Sequence, residues 1–357
     1  MLRAVLVGCG LMSRAWLEAV REVEGLEIVG LVDIDVARAN SRAAEFGLGA
    51  VVVGADAASV IDETRPDIVF DVVVPDARHD LALMALGRGC HVLTEKPMAD
   101  SLAHAEAIVR AARQAGRLHA VIQNRRYHPG IRRIRRFIES GAIGTLTSVH
   151  CDFFIAPHFG GFREAMDHVL LLDMAIHTFD AARLMIGAAP TSVWCQEWEP
   201  AGSWYRQGSS AVAVFEFEGG ALFNYRGSWC AEGLRTSWES TWRFVGSRGS
   251  LSWDGHEDFR AERVTDSPEP GAPFLRVAEP VPVPPLSDED RIGGHVGVIR
   301  DFVEAVRTGV PPETRGEDNI RSLAMVFGAI ESAEAGRRVP IIIPPMGDRQ
   351  AKEAIRQ

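Results

Sequence analysis

Cysteine is scarce in this chain of 357 residues: Cys9, Cys90, Cys151, Cys195 and Cys230 are scattered, odd in number and never spaced as CxxC. That excludes a disulfide framework and a cysteine-rich zinc site, and it fits reduced thiols in a cytoplasmic protein. Long hydrophobic runs are missing too. No stretch reaches the roughly 18 apolar residues that a membrane-crossing helix needs. The apolar run behind Arg3 covers only Ala4 to Val7 before Gly8 and Gly10 interrupt it, too short for the core of a secretion signal. Positive charge is in deficit, with a formal net charge of −10. On that balance a general binder of nucleic acid or of a membrane surface is excluded. No repeat recurs at a fixed period, and biased composition is confined to a Pro-, Glu- and Asp-rich loop at 264–290.

What remains is the composition of a globular enzyme, 46% apolar and 24% charged. The length asks for two domains rather than one core. In the first part, apolar β-branched runs at Leu2–Val7, Ile28–Val32, Asp67–Val74, His91–Leu93 and Leu118–Ile122 read as buried strands. Helical patterns alternate with them: one through Val20, then Ala37–Phe46, Asp80–Gly89, and one capped by Ser101 and stopped at Gly116. Such alternation predicts a parallel sheet covered by helices, here over 1–123. From Asn124 the pattern changes. An arginine-heavy helix (Pro129–Ser140) and a strand (Thr145–Ile155) precede a long helix (Asp167–Met185). Extended segments follow at Ser192–Trp198, Ser210–Glu218, Ala221–Trp229 and Glu239–Val245, then helices at His295–Thr308 and Glu317–Gly336. Glu218-Gly219-Gly220 marks a hairpin. The block 124–357 therefore reads as an antiparallel sheet with one helical layer.

Two constellations carry chemistry. Gly8-Cys9-Gly10-Leu11-Met12-Ser13 lies between a strand and a helix. A tight turn at Gly8 and close backbone approach at Gly10 suit a pyrophosphate at the helix N-terminus. Asp33 ends the second strand, 25 residues after Gly8, where a carboxylate accepts from ribose hydroxyls and repels a 2′-phosphate. NAD(H) is therefore expected over NADP(H), although Arg38 is close by. Pro75 and His79, beyond the third of these strands, are placed to cover the nicotinamide; the bland reading of His79 is a surface residue. Glu95-Lys96-Pro97 puts a cation at the carboxyl end of a strand, where open α/β sheets bind ligands.

The second constellation is Asp173, His177 and Asp180 in an apolar helix, spaced i, i+4, i+7 on one face. Buried ionisable groups are costly unless paired or used. His177 suits proton transfer near neutral pH, with Asp173 orienting it or a substrate hydroxyl. The competing reading is a structural network in which Asp173 and His177 satisfy each other. No zinc spacing supports a metal. The Arg132-Arg133 and Arg135-Arg136 run reads as a solvated helix surface, whereas Arg126, just after a strand end, is placed to reach a cleft. The tryptophans of the later chain, Trp194 to Trp253, read mainly as sheet core or an oligomer interface.

Glu95-Lys96-Pro97, the N-terminal GxGxxS, Asn124-Arg125-Arg126-Tyr127, Asp173-xxx-His177 and the closing Asp301-Phe302-Val303-Glu304-Ala305 … Gly336-Arg337 together resemble the glucose–fructose oxidoreductase / inositol dehydrogenase / MocA (Gfo/Idh/MocA) family over nearly the whole chain. Ser13 and the residues before His79 depart from its usual pattern. The resemblance implies a Rossmann domain followed by an α/β domain with a large, mostly antiparallel open sheet that makes homodimers or homotetramers. It implies reversible oxidation of a secondary alcohol on a sugar or cyclitol. By position it makes Lys96 the catalytic lysine, Asp173 the substrate-positioning carboxylate and His177 the acid/base. Arg126 and Asp180 match positions holding substrate hydroxyls, with His158 a further candidate. A non-catalytic sensor of the same fold, or a reductase of ketosugars or non-sugar diols, are the alternatives.

Overall fold

A computed structural model of the chain describes residues 1–264, 274 and 276–344. The chain divides into two compact units, one of residues 1–121, 302–324 and 342–344, the other of 122–301 and 325–341.

The first unit is built on six parallel strands: β1 (Leu2–Val7), β2 (Leu26–Val32), β3 (Val52–Gly54), β4 (Ile68–Asp71), β5 (His91–Thr94) and β6 (His119–Val121). Their order is β3-β2-β1-β4-β5-β6, with every pair parallel. This is the doubly wound order in which the strand direction of travel reverses beside β1, leaving a crevice at the strand ends. Helices α1 (Leu11–Val20), α2 (Val36–Glu45), α3 (Ala57–Thr64), α4 (Pro75–Gly87) and α5 (Leu102–Ala115) connect them. Trp16 of α1, fully buried, packs its ring 5.2 Å from that of Phe70 on β4. The caps are written locally. Asp35, Asp56 and Ser101 each accept a backbone N–H of the helix they open, and Gly116 closes α5 at φ 61°.

Two details differ from the sequence reading. The short β3 and α3 fill a stretch to which the sequence reading assigns no element, although Val51-Val52-Val53 leads into β3 and Asp56 caps α3. The strand expected to run to Val74 stops at Asp71, and α4 opens at Pro75 rather than Asp80. Proline suits the first helical position, because its φ is already helical and no N–H is wanted there.

The second unit holds a nine-stranded mixed sheet, ordered β14-β13-β12-β11-β7-β10-β9-β8-β15. Its strands are β7 (Leu146–Phe154), β8 (Pro190–Trp198), β9 (Ser210–Phe217), β10 (Leu222–Ser228), β11 (Thr241–Gly246), β12 (Gly249–Trp253), β13 (Phe259–Val264), β14 (Ala278–Pro280) and β15 (Val339–Pro340). The β7–β10 pair is parallel and the rest are antiparallel. Helices α6 (Pro129–Glu139) and α7 (Ile176–Ile186) cover one face. Phe179 of α7 drives into the sheet, its ring 4.7 Å from Phe215 and 5.2 Å from Tyr225. On the other face Trp194, Trp198 and Leu222 remain partly open to solvent.

The single helix expected over Asp167–Met185 is in fact two pieces, a π-helical turn at Leu170–Ala175 running into α7. Strands β12 to β14 extend the sheet beyond the expected edge, and β14 falls in the stretch read as loop; residues 265–273 and 275 of that stretch lie outside the described residues. The closing helices are α8 (Gly294–Thr308) and α9 (Gly316–Ala335). Among the described residues no helix is long and apolar enough to cross a membrane.

Candidate active site: a dinucleotide cradle and a polar helix start

The glycine turn between β1 and α1 is shaped by close contact. Gly8 has φ 98°, and a Cβ there would lie 2.6 Å from the Val72 carbonyl oxygen, so only glycine fits. At Gly10 a Cβ would meet nothing within 4 Å, so the backbone faces open space in front of the α1 N-terminus. Ser13, the departure from the usual glycine or alanine, is fully buried and donates its hydroxyl to Gly10 O at 2.6 Å. The hydroxyl thus ties the turn to the helix, and the substitution leaves the cradle intact. Asp33 sits at the end of β2. Its Oδ2 accepts from Cys9 N at 2.8 Å and its Oδ1 from Asp35 N at 2.9 Å, with Arg38 Nη1 at 3.5 Å. Leu11 and Ile34 are exposed beside it, apolar groups with no core of their own. An open glycine backbone, a helix N-terminus and a strand-end carboxylate match what a dinucleotide requires. Arg42 supports the turn from behind, donating to Gly10 O at 3.0 Å.

Beyond β5 the Glu95-Lys96-Pro97 segment is held from beneath. Glu95, 4% exposed, accepts from Trp16 Nε1 at 2.8 Å and from Lys96 N at 3.1 Å. The acid is therefore an anchor that orders the lysine's backbone. Arg78, which no sequence motif marks, braces the same strand ends. Its Nη1 donates to Pro97 O at 2.5 Å and its Nη2 to Val73 O at 2.7 Å. Asp71, fully buried at the end of β4, accepts from Thr94 Oγ1 at 2.9 Å. Burial pushes its carboxyl up to about 6, against the pull of Arg78 and Thr94. Pro75 is the first residue of α4. His79 lies further along α4, its ring stacked 4.0 Å from His104 and its Nδ1 2.8 Å from Asp80.

In the second unit the expected stripe is split by backbone geometry. Asp173 lies in the π-helical turn, and His177 and Asp180 lie in α7. A π-helical turn shifts the register of side chains on a helix and recurs at functional sites. Asp173, nearly buried, accepts from Arg163 Nε at 2.8 Å. Arg163 comes from the preceding 3-10 turn (Gly161–Ala165), and its guanidinium also lies over the rings of Phe159 and Phe162. It is a second residue that the sequence did not flag; an arginine after an exposed Phe-Gly-Gly-Phe stretch was the available signal. His177 is half-buried at the start of α7, and Gln123 Nε2 donates to the Ile176 carbonyl at 3.3 Å just before it.

Asp180 and Arg126, both expected at the substrate, are brought together as a pair. Arg126 Nε and Nη2 reach the Asp180 carboxylate at 2.6 and 2.7 Å in a two-pronged pair, with the side chains 5% and 0% exposed. Arg183 adds a longer contact at 3.5 Å. His158 is exposed, stacked 3.7 Å from Trp204 and paired with Glu232 at 3.0 Å. Among the described residues, no three His, Cys, Asp or Glu side chains gather as for a metal ion.

Comparison with known proteins agrees with these halves. Residues 2–123 match the profile of an oxidoreductase family with an NAD-binding Rossmann fold, and residues 131–252 match the GFO/IDH/MocA C-terminal domain. The D-apiose dehydrogenase of Paraburkholderia graminis is 29% identical over 95% of this chain and 89% of its own length. An inositol 2-dehydrogenase of Saccharopolyspora erythraea is 33% identical over 54% of this chain and 56% of its own. Among solved structures, an oxidoreductase from Agrobacterium radiobacter in complex with NAD+, L-tartaric acid and magnesium superposes with a TM-score of 0.81, at 24% identity over 95% of this chain and 98% of that one. With both profiles matched in order over more than half its length, the chain belongs to the Gfo/Idh/MocA family of oxidoreductases, built on an NAD-binding Rossmann fold.

Proposed function

We propose that this oxidoreductase uses NAD(H), in preference to NADP(H), to oxidise a secondary hydroxyl of a sugar, glycoside or cyclitol, with Lys96, Asp173 and His177 as its catalytic group. One observation carries most weight. The whole chain contains two lysines, Lys96 and Lys352, and meets nearly every other need for a cation with arginine. A lysine kept at a strand end beside a dinucleotide cradle, in such a chain, points to a task that a guanidinium does not perform. A compact ammonium donates to a single oxygen, whereas the fork of arginine grips two.

NAD+ held by the turn at Gly8, Gly10, Leu11 and Met12, with its ribose at Asp33, supplies the hydride acceptor. The substrate's carbinol C–H and O–H are the bonds broken, and a carbonyl forms. His177 takes the hydroxyl proton as general base. The Lys96 ammonium donates to the reacting oxygen and favours its developing negative charge. Asp173, steadied by Arg163, fixes the hydroxyl for that transfer. The buried Arg126–Asp180 pair supports α7 from behind, a positioning role rather than a grip on substrate. Relatives named dehydrogenase, and one from Ensifer adhaerens named 1,5-anhydro-D-fructose reductase, support a CH–OH substrate without choosing a direction. A cytoplasmic location and a homo-oligomer joined through the open sheet face near Trp194 and Trp198 complete the reading; light scattering tests the latter.

The test is a screen of inositols, pentoses, hexoses, anhydrosugars and glycosides, following reduced-nicotinamide absorbance with both cofactors and in both directions. Turnover with at least one polyol, and its loss in His177→Ala with NAD binding retained, is the expected result. NAD binding with no turnover across the panel would instead make the protein a sensor of the same fold.

A further inference from the structure

The first unit contains a concave site that the proposed chemistry does not use. It is a cavity of about 190 Å³ where the end of α5 and β6 meet the start of α9. That is several times the roughly 30 Å³ one water occupies in the liquid. Three guanidinium groups line it, from Arg113, Arg117 and Arg315, against one carboxylate, Glu317. Glu317 is engaged by Arg113 at 3.2 Å. Arg117 spends its Nε on the Gly89 carbonyl. Arg315 is exposed. The floor includes His119, which is 3% exposed and has neither ring nitrogen hydrogen-bonded.

That last feature is out of keeping with a plain surface dent. A buried polar group without a partner costs of order 1–3 kcal/mol. Burial also pushes the His119 ring down to about 3, so it is neutral at pH 7 and carries one N–H and one bare nitrogen. Both ring nitrogens are closed off, so the ring adds no charge beneath an excess of guanidinium groups, and those groups suit an oxyanion. The ring is also built in: a Cβ at Gly316, the first residue of α9, would lie 2.6 Å from His119 Nδ1, so glycine is needed for the ring to sit there.

We propose that the Arg113–Arg117–His119–Arg315 cavity binds a phosphate group, free or carried on a small polyol, at a site separate from the dinucleotide cradle. Arg315 and Arg117 supply the charge, and the buried His119 ring floors the site without adding any. The volume accommodates a phosphomonoester as well as the free ion.

The experiment uses the full chain saturated with NAD, so that the glycine turn does not compete, at constant ionic strength. Inorganic phosphate and glycerol 3-phosphate are titrated by calorimetry, with glycerol as the uncharged control. In parallel, the imidazole C–H resonance missing from the His119→Gln spectrum is followed by NMR. Saturable binding that moves the His119 resonance, weakened about tenfold or more in Arg315→Ala, is the expected result. Arg315 is exposed, so that variant folds. Partial recovery in Arg315→Lys supports a charge contact. Tighter binding of the ester assigns the site to phosphomonoesters, and equal binding assigns it to the free ion. Binding undiminished in both Arg315→Ala and His119→Gln, or no saturable binding of either anion, overturns the proposal.

Discussion

Removing Arg126 separates the structural reading of the Arg126–Asp180 pair from the substrate-binding one. Arg126→Met leaves the fully buried Asp180 carboxylate without the two charge-assisted bonds at 2.6 and 2.7 Å. Breaking a buried ion pair by deleting one partner costs about 3–5 kcal/mol, because the other charge stays buried. Arg183, at 3.5 Å, retains part of the compensation, so the lower end of that range is expected. For a domain of this size, about 2–4 °C accompanies each kcal/mol, which puts the melting temperature roughly 10 °C lower. The double variant Arg126→Met, Asp180→Leu removes both charges and fills the space. It is expected to recover most of the loss, since apolar replacements of buried pairs are commonly neutral or stabilising. Calorimetry and urea unfolding of the four proteins give the coupling directly. Additive losses in the double variant, or an unchanged melting temperature in Arg126→Met with a raised KM, would refute the pairing argument and return Arg126 to the substrate.

Four further outcomes follow from other contacts. His177→Ala is expected to lower kcat by about 10²–10⁴ while NAD affinity, measured by fluorescence titration, stays within twofold or so. Lys96→Met is expected to abolish turnover with the fold intact by circular dichroism, and Lys96→Arg to stay within about tenfold of that loss, since the fork cannot replace a point donor; wild-type turnover in the arginine variant would refute the argument from lysine scarcity. Asp33→Ala removes the carboxylate and leaves Arg38 exposed beside the ribose position, so the NADP/NAD ratio of kcat/KM is expected to rise by at least about tenfold. Asp71 binds its proton more tightly folded than unfolded, so it stabilises at low pH and that stability is lost as pH rises from about 4 through about 6. Asp71→Asn, able to keep partners at Val73 N and Thr94, is expected to flatten the stability profile across that window; urea midpoints at pH 4.5, 6 and 7.5 test it.

Much of the first unit was legible because its signals are local. A buried strand is an apolar run, and β1 begins and ends where the run does. Caps are single residues, and Ser101 and Gly116 mark the ends of α5 on sight. The π-helical turn at Leu170–Ala175 was not legible, since its apolar residues suit either helix and only packing chooses the wider one. Strand β14 was hidden for a similar reason. Its three residues are exposed and end in Pro280, and only pairing with β13 makes them a strand.

The sequence by itself determined the strand–helix alternation of the first unit, the glycine turn with its acid, the placement of Lys96 at a strand end and the family. These depend on residue types at fixed short separations, which the chain carries with it wherever it folds. Tertiary structure decided who pairs with whom. It turned Glu95 into an anchor for Trp16, 79 positions away, joined Arg126 to Asp180 across 54, and brought Arg315 beside His119 to line one cavity. Electrostatic and hydrogen-bond partners are set by distance in space, and a charge in a sequence carries no mark of the opposite charge it will meet. For that reason the pairing of Asp180 with Arg126 is not written in the sequence around either residue.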